Sequence, residues 1–414
     1  MNFTYFTAQR IGPSSKGKNK MSNTALNIAG SAVSIGIAVM LIAVAIVIGY
    51  KNEIYKKLMG FESHISITNR DMNMTYETIP IDKNIEKYID FEAYEQVIHH
   101  QIFATKPAII SQNEEIQGVI LKGIGNDYDT DFIQEHLTQG KLLNITPGEK
   151  SNETVISKQL AIKLGIDLGD KIKFFFIQDP PRVRALKVAG IYNTGMQTID
   201  ELFVLCDIKH IQKLNGWSPN EVGGIEIKIS KLSETENTTN KIRNKLSGVI
   251  TEEESMFKIN NFKENNPMLI RWLSLTDKNA EIILILMIIV AVFNMISGLL
   301  IIILERTNMI GILKAMGASN FQIKKIFIFN GAQLILRAMI WGNLIGIGLL
   351  ALQKYAELIP LDPAIYYVDT VPVSLNLTHI LMLNLGTALI TILALFLPTL
   401  VISKISPSKT IKFN

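Results

Sequence analysis

The chain of 414 residues has a single cysteine, Cys206. No intramolecular disulfide can form, so any exported part must hold together through its apolar core. The six histidines show no zinc-ligand spacing, and the adjacent His99 and His100 would point to opposite faces of a strand. They read as structural or solvated, which argues against a metal centre. A Walker A motif and a catalytic dyad are also missing. The stretch Gly12-Pro-Ser-Ser-Lys-Gly-Lys-Asn19 imitates G-x-x-x-x-G-K, but it ends in Asn where magnesium needs Ser or Thr, and no strand precedes it. The chain is therefore expected to be no enzyme and to hydrolyse no ATP alone. Its first apolar run lacks an A-x-A cleavage site and is too long for a signal-peptide core, so it is expected to stay as an anchor.

Charge is missing from four long stretches: 21–50, 282–304, 326–353 with Arg337 as the one interruption, and 370–403. Each exceeds the ~20 residues that cross ~30 Å of hydrocarbon. With 48% hydrophobic residues and mean hydropathy +0.25, this predicts transmembrane helices at 25–50, 282–304, 326–352 and 377–402. Four bases (Arg10, Lys16, Lys18, Lys20) and no acid precede the first span. Loop 305–325 sets four bases against Glu305, the tail 403–414 has three bases, and loop 353–376 sets Lys354 against Glu357, Asp362 and Asp369. The distribution places both termini in the cytoplasm and segment 51–281 outside. That segment holds 28 bases and 33 acids, net −5. The overall +4 thus reports membrane topology and implies no nucleic acid. Residues 1–24, with Phe3, Tyr5 and Phe6 ahead of Arg10, read as an interfacial segment on the cytoplasmic leaflet.

Segment 51–281 alternates short elements. Strands are expected at 65–68, 97–104, 116–123, 171–177, 184–192, 202–205 and 224–229, and helices at 132–137, 158–164, 208–214 and 232–246, an α+β pattern. Two long helices flank it. One runs from Ser22 to Met59 with Gly60 as its stop, the other from Pro267, after the N-cap Asn266, to Leu304. Each would extend ~57 Å at 1.5 Å per residue. Trp272 is either interfacial or packed against the exterior domain.

The second long helix leads into Glu305-Arg-Thr-Asn-Met-Ile-Gly-Ile-Leu-Lys-Ala-Met-Gly-Ala-Ser-Asn-Phe-Gln322. Met309, Ile312, Leu313 and Met316 fall at the spacing of one helix face. Gly317 suits a left-handed C-terminal stop, and Ser319 with Gln322 forms an S-x-x-Q capping box for the next helix. The stretch reads as a cytoplasmic docking element, or as an ordinary interfacial helix between two spans. It resembles the coupling loop of FtsX-like and MacB-like ABC-transporter permeases, E-R-x-x-x-I-G-x-L-K-A-x-G. Glu305, Arg306, Ile310, Gly311, Leu313, Lys314, Ala315 and Gly317 supply the motif, and Met309 belongs to the same candidate coupling set.

A second resemblance narrows the class. Gly49, Tyr50, Glu53, Ile54, Gly60, Phe61, His64 and Ile67 are similar to N-G-F-x-x-E-I-x-x-x-I-L-G-F-x-x-H-V-x-I of the lipoprotein-releasing LolC/LolE permeases, with Tyr50 in place of Phe. Stretches 119–124, 156–170, 188–200 and 359–373, with Pro398 and Ile405-Ser-Pro407, extend the likeness over nearly the whole chain. The resemblance implies an α-helical membrane protein with four transmembrane helices plus an α+β periplasmic domain, MacB-like and of Porter/Sabre type, inserted between the first and second. The Sabre-like insertion would span 105–187.

The resemblance also implies a permease subunit in the inner membrane of a Gram-negative bacterium. It would pair with a second permease, identical or homologous, on a cytoplasmic ABC ATPase dimer that binds ATP and magnesium, this chain binding no cofactor. Its substrate would be a lipoprotein drawn from membrane lipid and passed to a periplasmic chaperone. The faces Ile35, Val39, Ile42 and Ile46, with Ile288, Val292 and Leu299, either contact acyl chains or pack against other helices. The tip Gln178, Asp179, Pro180, Pro181 and Arg182 is either a short form of the family's chaperone hook or a plain hairpin turn. Arg337, at ~2.5–3.5 kcal/mol for a mid-bilayer position, pairs structurally, with Asn294 as one partner, or faces the substrate. Alternative functions are FtsX-like transmission of ATPase motion to a cell-wall hydrolase, MacB-like efflux, and a membrane sensor or scaffold with no ATPase partner.

Overall fold

The computed structural model describes residues 20–71, 75–249 and 256–405. The N-terminal aromatic and basic stretch, the stretch 12–19 and Pro407 lie outside the described residues. The chain divides into two compact units. A helical unit takes the described residues up to Asn52, then Trp272–Pro360 and those from Thr370 on, and an α+β unit takes Glu53–Arg271 with Leu361–Asp369.

The first helix, α1 (Lys20–Glu62), passes through Gly60, where a stop was expected. Gly60 is there for space: a Cβ on it would lie 2.2 Å from the Phe132 ring. The break comes at Ser63, which takes the left-handed φ of 63°, and β1 (Ile65–Asn69) follows.

The α+β unit continues with β2 (Ile81–Asp82), β3 (Val97–Gln112), β4 (Glu115–Ile124), α2 (Asp131–Glu135), β5 (Leu137–Gly140), β6 (Glu153–Ser157) and α3 (Lys158–Leu164). Then come β7 (Lys171–Phe176), β8 (Arg182–Tyr192), α4 (Gln197–Asp200), β9 (Phe203–Asp207) and α5 (Ile208–Asn215). It ends with β10 (Glu221–Val222), β11 (Gly224–Ile229), α6 (Thr235–Leu246), β12 (Phe257–Asn261) and α7 (Phe262–Asn265). Local chemistry sets the helix ends. Ser157 caps α3 by accepting from Leu160 N, and Gly165 closes it at φ 60°, while Asn261 and Glu264 form a capping box on α7.

Among the described residues ten strands join in one sheet, and β2 pairs with β10 apart from it. β1 lies between β12 and β11, antiparallel to both. Within the sheet, β3 pairs β4, β4 pairs β9, β9 pairs β6, β6 pairs β8, β8 pairs β7, and β7 returns to β3 at Ile109 and Ile110. These strands close a ring. β7 alternates strictly, with Ile172, Phe174 and Phe176 buried and the residues between them exposed, as a strand with one face on a core must. Those three join Ile110, Leu121, Leu186, Val204 and Cys206 in one apolar cluster.

β3 runs unbroken from Val97 to Gln112, through Thr105, where the insertion was expected to begin. β5, β6 and β12 were missed because each is short and is made a strand by partners distant in sequence.

His64 follows α1, and its Nδ1 accepts a hydrogen bond from Ile229 N at 3.3 Å. Burial, helped by Lys228, pushes its pKa down to about 4 from 6.5. Between these values the unfolded chain binds a proton that the folded chain does not, so stability falls as pH drops through that window, by up to about 3 kcal/mol. Unfolding of the detergent-solubilised protein at pH 7 and pH 5 should show this loss, reduced in His64→Gln. An identical pH dependence in both proteins refutes the assignment.

The helical unit contains α8 (Pro267–Glu305), α9 (Thr307–Ala315) and α10 (Asn320–Ala356). After the short α11 (Pro363–Tyr366), which belongs to the other unit, come α12 (Leu377–Ala394) and α13 (Phe396–Lys404). Among the described residues four helices are long and apolar enough to cross a membrane: Asn27–Glu62, Pro267–Glu305, Asn320–Ala356 and Leu377–Lys404. The last is broken at Leu395 into α12 and α13. Pro398 lacks an N–H and its ring crowds the carbonyl of Ala394, four residues back. Small residues let α1 and α10 touch, as the Gly342-x-x-x-Gly346 spacing predicts. A Cβ on Gly342 would lie 2.6 Å from Ser34 O, and one on Gly346 3.2 Å from Ala38 Cα. Trp272 meets the edge of Tyr50 at 5.8 Å, and Lys51 pairs with Asp277 at 2.7 Å. Trp272 therefore packs on α1 within the helical unit, a contact that neither the interfacial nor the exterior-domain expectation named.

Candidate coupling site

Glu305 ends α8, and Arg306 turns the chain into α9 with φ −95°, ψ 14°. Thr307 Oγ1 donates back to Ile303 O at 3.3 Å. The far end closes as a Schellman motif: Ala318 N donates to Leu313 O and Gly317 N to Lys314 O, both at 3.0 Å, with Gly317 at φ 93°. Ser319 then caps α10. Its backbone N donates to Gln322 Oε1 at 2.9 Å, and Gln322 N returns to Ser319 Oγ at 3.3 Å. The helix, stop and capping box read from the sequence all stand where expected.

The orientation of α9 differs from the expected single face of Met309, Ile312, Leu313 and Met316. Ile310 and Leu313 are buried in the cluster that includes Ile303, Ile323, Phe327 and Ile402, with Met309 packed half-buried against it. Gly311 is buried beside them. Ile312 is 51% exposed and Met316 70%. The sequence Thr-Asn-Met-Ile-Gly-Ile-Leu-Lys-Ala is apolar on too many sides for periodicity to choose. Its neighbours choose instead, seating Ile310 and Leu313 and turning Ile312, Ala315 and Met316 outward.

Lys314, expected to face a partner, turns inward. Its Nζ donates to Ile402 O and Ile405 O at 2.7 Å each, capping the last turn of α13 with a cation as the helix dipole favours. Burial lowers its pKa. The outward set therefore consists of Glu305, Ala315 and Gly317 together with Ile312 and Met316. Ile312 and Met316 lie outside the quoted motif, and their exposure could be found only from the fold. Phe321, 73% exposed at the start of α10, extends the apolar surface.

Of the proposed acyl-contact residues, Ile35 is exposed and Val39, Ile42, Ile46, Ile288 and Val292 are half-buried. Leu299 is 2% exposed and belongs to the buried cluster of Val33, Ile37 and Met40. Its place is therefore inside the helix bundle. Arg337 is exposed and lines a groove beside α1, and Asn294 is not among the residues lining it.

The tip between β7 and β8 is held back on α5. Gln178 Nε2 donates to Leu214 O at 3.4 Å and Arg182 Nη1 to Lys213 O at 3.2 Å. Asp179, Pro180 and Pro181 are exposed, as is Ile177 beside them. The motif residue Asp200 is buried, and burial raises its pKa. It accepts from Thr194 Oγ1 at 2.8 Å and Gly195 N at 3.0 Å. Lys57, which the sequence reading passed over, reaches Tyr367 O at 2.8 Å and would leave only 3.0 Å to a Cβ on Gly195.

Comparison with known proteins gives a consistent set of matches. Residues 24–245 match the MacB-like periplasmic core domain, and residues 281–407 match the FtsX-like permease C-terminal region. Over 390 residues the chain is 25% identical to the lipoprotein-releasing system transmembrane protein LolC of Buchnera aphidicola, covering 91% of this chain and 90% of that protein. Over 434 residues it is 24% identical to LolE of Haemophilus influenzae, covering 99% of each. Among solved structures, the periplasmic region of MacB from Actinobacillus actinomycetemcomitans matches 52% of this chain and 95% of its own, at 17% identity and TM-score 0.34.

Proposed function

The chain belongs to the MacB-like periplasmic core domain family, its C-terminal part matching the FtsX-like permeases, and on that premise we propose that it is the membrane subunit of a Lol-type ABC transporter releasing lipoproteins from the inner membrane of a Gram-negative bacterium. One observation carries the reading: α9 is seated on Ile310 and Leu313 and leaves Ile312 and Met316 outside. Apolar side chains held outward on a fixed, capped helix mark a surface made for a partner.

That partner is a cytoplasmic ATPase dimer holding ATP and magnesium, and this chain binds no cofactor of its own. Both termini lie in the cytoplasm and four spans cross the bilayer. A second permease, identical or homologous, completes the pore-side surface. ATPase closure displaces α9, and the displacement passes into α8 and α1, each continuous over 39 and 43 residues. Half-buried Val39, Ile42, Ile46, Ile288 and Val292, with exposed Ile35, are the candidates for acyl chains, and the tip at Gln178 to Arg182 is the candidate contact for a periplasmic chaperone.

Depletion of the protein in its own host tests the function. Lipoproteins retained in the inner membrane are the expected result. Chains of undivided cells with normal lipoprotein sorting favour control of a cell-wall hydrolase, and drug sensitivity alone favours efflux; either refutes lipoprotein release.

A further inference from the structure

α9 has two working sides. Ile312 and Met316 face outward, while Lys314, two residues after Ile312 and so about 200° round the helix, reaches the other way. Its Nζ meets Ile402 O and Ile405 O at 2.7 Å each. Both carbonyls lie at the end of α13, where the last carbonyls of a helix lack intrahelical donors. One side chain of α9 thus holds the far end of the fourth span. Apolar contacts add to the hold, since Ile310 and Leu313 of α9 share a buried cluster with Leu395 and Ile402 at the two ends of α13.

The near end of α13 is a built break. Leu395 N is shared between Thr391 O at 3.1 Å and Ile392 O at 3.2 Å, as happens where a helix stops. Pro398 offers no N–H to Ala394 O. Thr391 Oγ1 bonds back to Thr387 O, a contact that bends helices. Leu395 itself is fully buried and fills the space beside Gly331 of α10, where a Cβ would lie 2.5 Å from Leu395 Cδ1. The break is therefore pinned at one residue. Beyond it Phe396, Leu397 and Leu400 are exposed, so α13 can turn about that pin without forcing the rest of the chain aside.

We propose that Lys314 is a positioning residue for the transport stroke: it ties α9 to α13, so that a displacement of α9 swings α13 about Leu395 and carries the stroke into the fourth span. The inference rests on the reading of α9 as the ATPase docking helix and adds to it an output separate from α8. α13 has 9 residues, so a change in kink of about 20° at its start moves the far end of this ~13 Å helix by about 5 Å.

Leu389 on α12 and Ser403 on α13 are exposed, and the one native cysteine, Cys206, is buried. Leu389→Cys with Ser403→Cys therefore accepts a selective pair of spin labels. In the complex with its ATPase, reconstituted in nanodiscs, pulsed electron paramagnetic resonance measures the label-to-label distance without nucleotide and after trapping with ATP and vanadate. Trapping should shift the distance by about 3–6 Å. Lys314→Met should abolish the shift in complexes that hold the ATPase, and Lys314→Arg, which keeps the cation, should retain it. Pro398→Ala restores the missing donor, leaves Lys314 in place and should at least halve the shift. A distance that does not change on trapping in an ATPase-bound complex overturns the proposal and leaves docking intact. A shift that survives Lys314→Met, or one undiminished by Pro398→Ala, overturns it as well. A Lys314→Met chain that holds no ATPase places Lys314 in the docking surface and refutes the tie. A parent chain that binds no ATPase refutes the docking reading, and the proposal falls with it. Lipoprotein sorting is read separately by the depletion experiment.

Discussion

Lys122→Met is expected to destabilise the α+β unit by about 3–5 kcal/mol, the range for breaking one side of a buried ion pair. Lys122 and Glu226 are both almost wholly buried, with Nζ 2.7 Å from Glu226 Oε1. The same Nζ donates to Phe61 O at 2.5 Å and lies 4.8 Å from the Phe61 ring centroid. Gln101 Nε2 donates to the other carboxylate oxygen at 2.7 Å. Removing the amine leaves a carboxylate without its counter-charge and uncaps a carbonyl in the last turn of α1. Methionine keeps the volume, so the loss reads electrostatics and hydrogen bonding rather than a cavity. Glu226→Leu placed in the same chain removes the stranded charge and should recover most of the stability. Chemical unfolding of the solubilised protein measures both. A single variant within 1 kcal/mol of the parent, or a double variant no better than the single, contradicts the assignment.

The second large effect is expected at α9. Ile312→Glu with Met316→Glu should weaken the ATPase partnership about 100-fold or more, since two apolar anchors at the centre of an interface contribute about 2 kcal/mol or more apiece. Both side chains are exposed, so the chain should fold as before. Lys314→Ala is expected to act differently, by freeing the end of α13 and lowering stability. The measurement is the amount of ATPase that co-purifies with each variant and the affinity of the recombined parts. Undiminished ATPase binding by the double-glutamate variant would exclude this face as the docking surface.

What the sequence disclosed and what it withheld follow from the range of the interactions. The long helices were legible because charge-free runs are local, and so were Gly317 and the Ser319 box, whose bonds span six residues or fewer. The coupling motif located the site for the same reason. The facing of α9 was not legible, because Ile310 and Ile312 are equally apolar and only contact with Ile323 and Phe327 separates them. Lys314 read as a surface cation until the carbonyls of Ile402 and Ile405, some ninety residues on, claimed it. Gly60 looked like a stop because glycine serves both turns and tight packing, and Phe132, far along the chain, decides which.

The circuit of strands from β3 through β4, β9, β6, β8 and β7 has a last consequence. A sheet that meets itself offers no lateral rim along the circuit where a foreign backbone can add. The α+β unit thereby gains resistance to templated aggregation along that circuit. It does so without a covalent staple, which its lone, buried Cys206 could not supply.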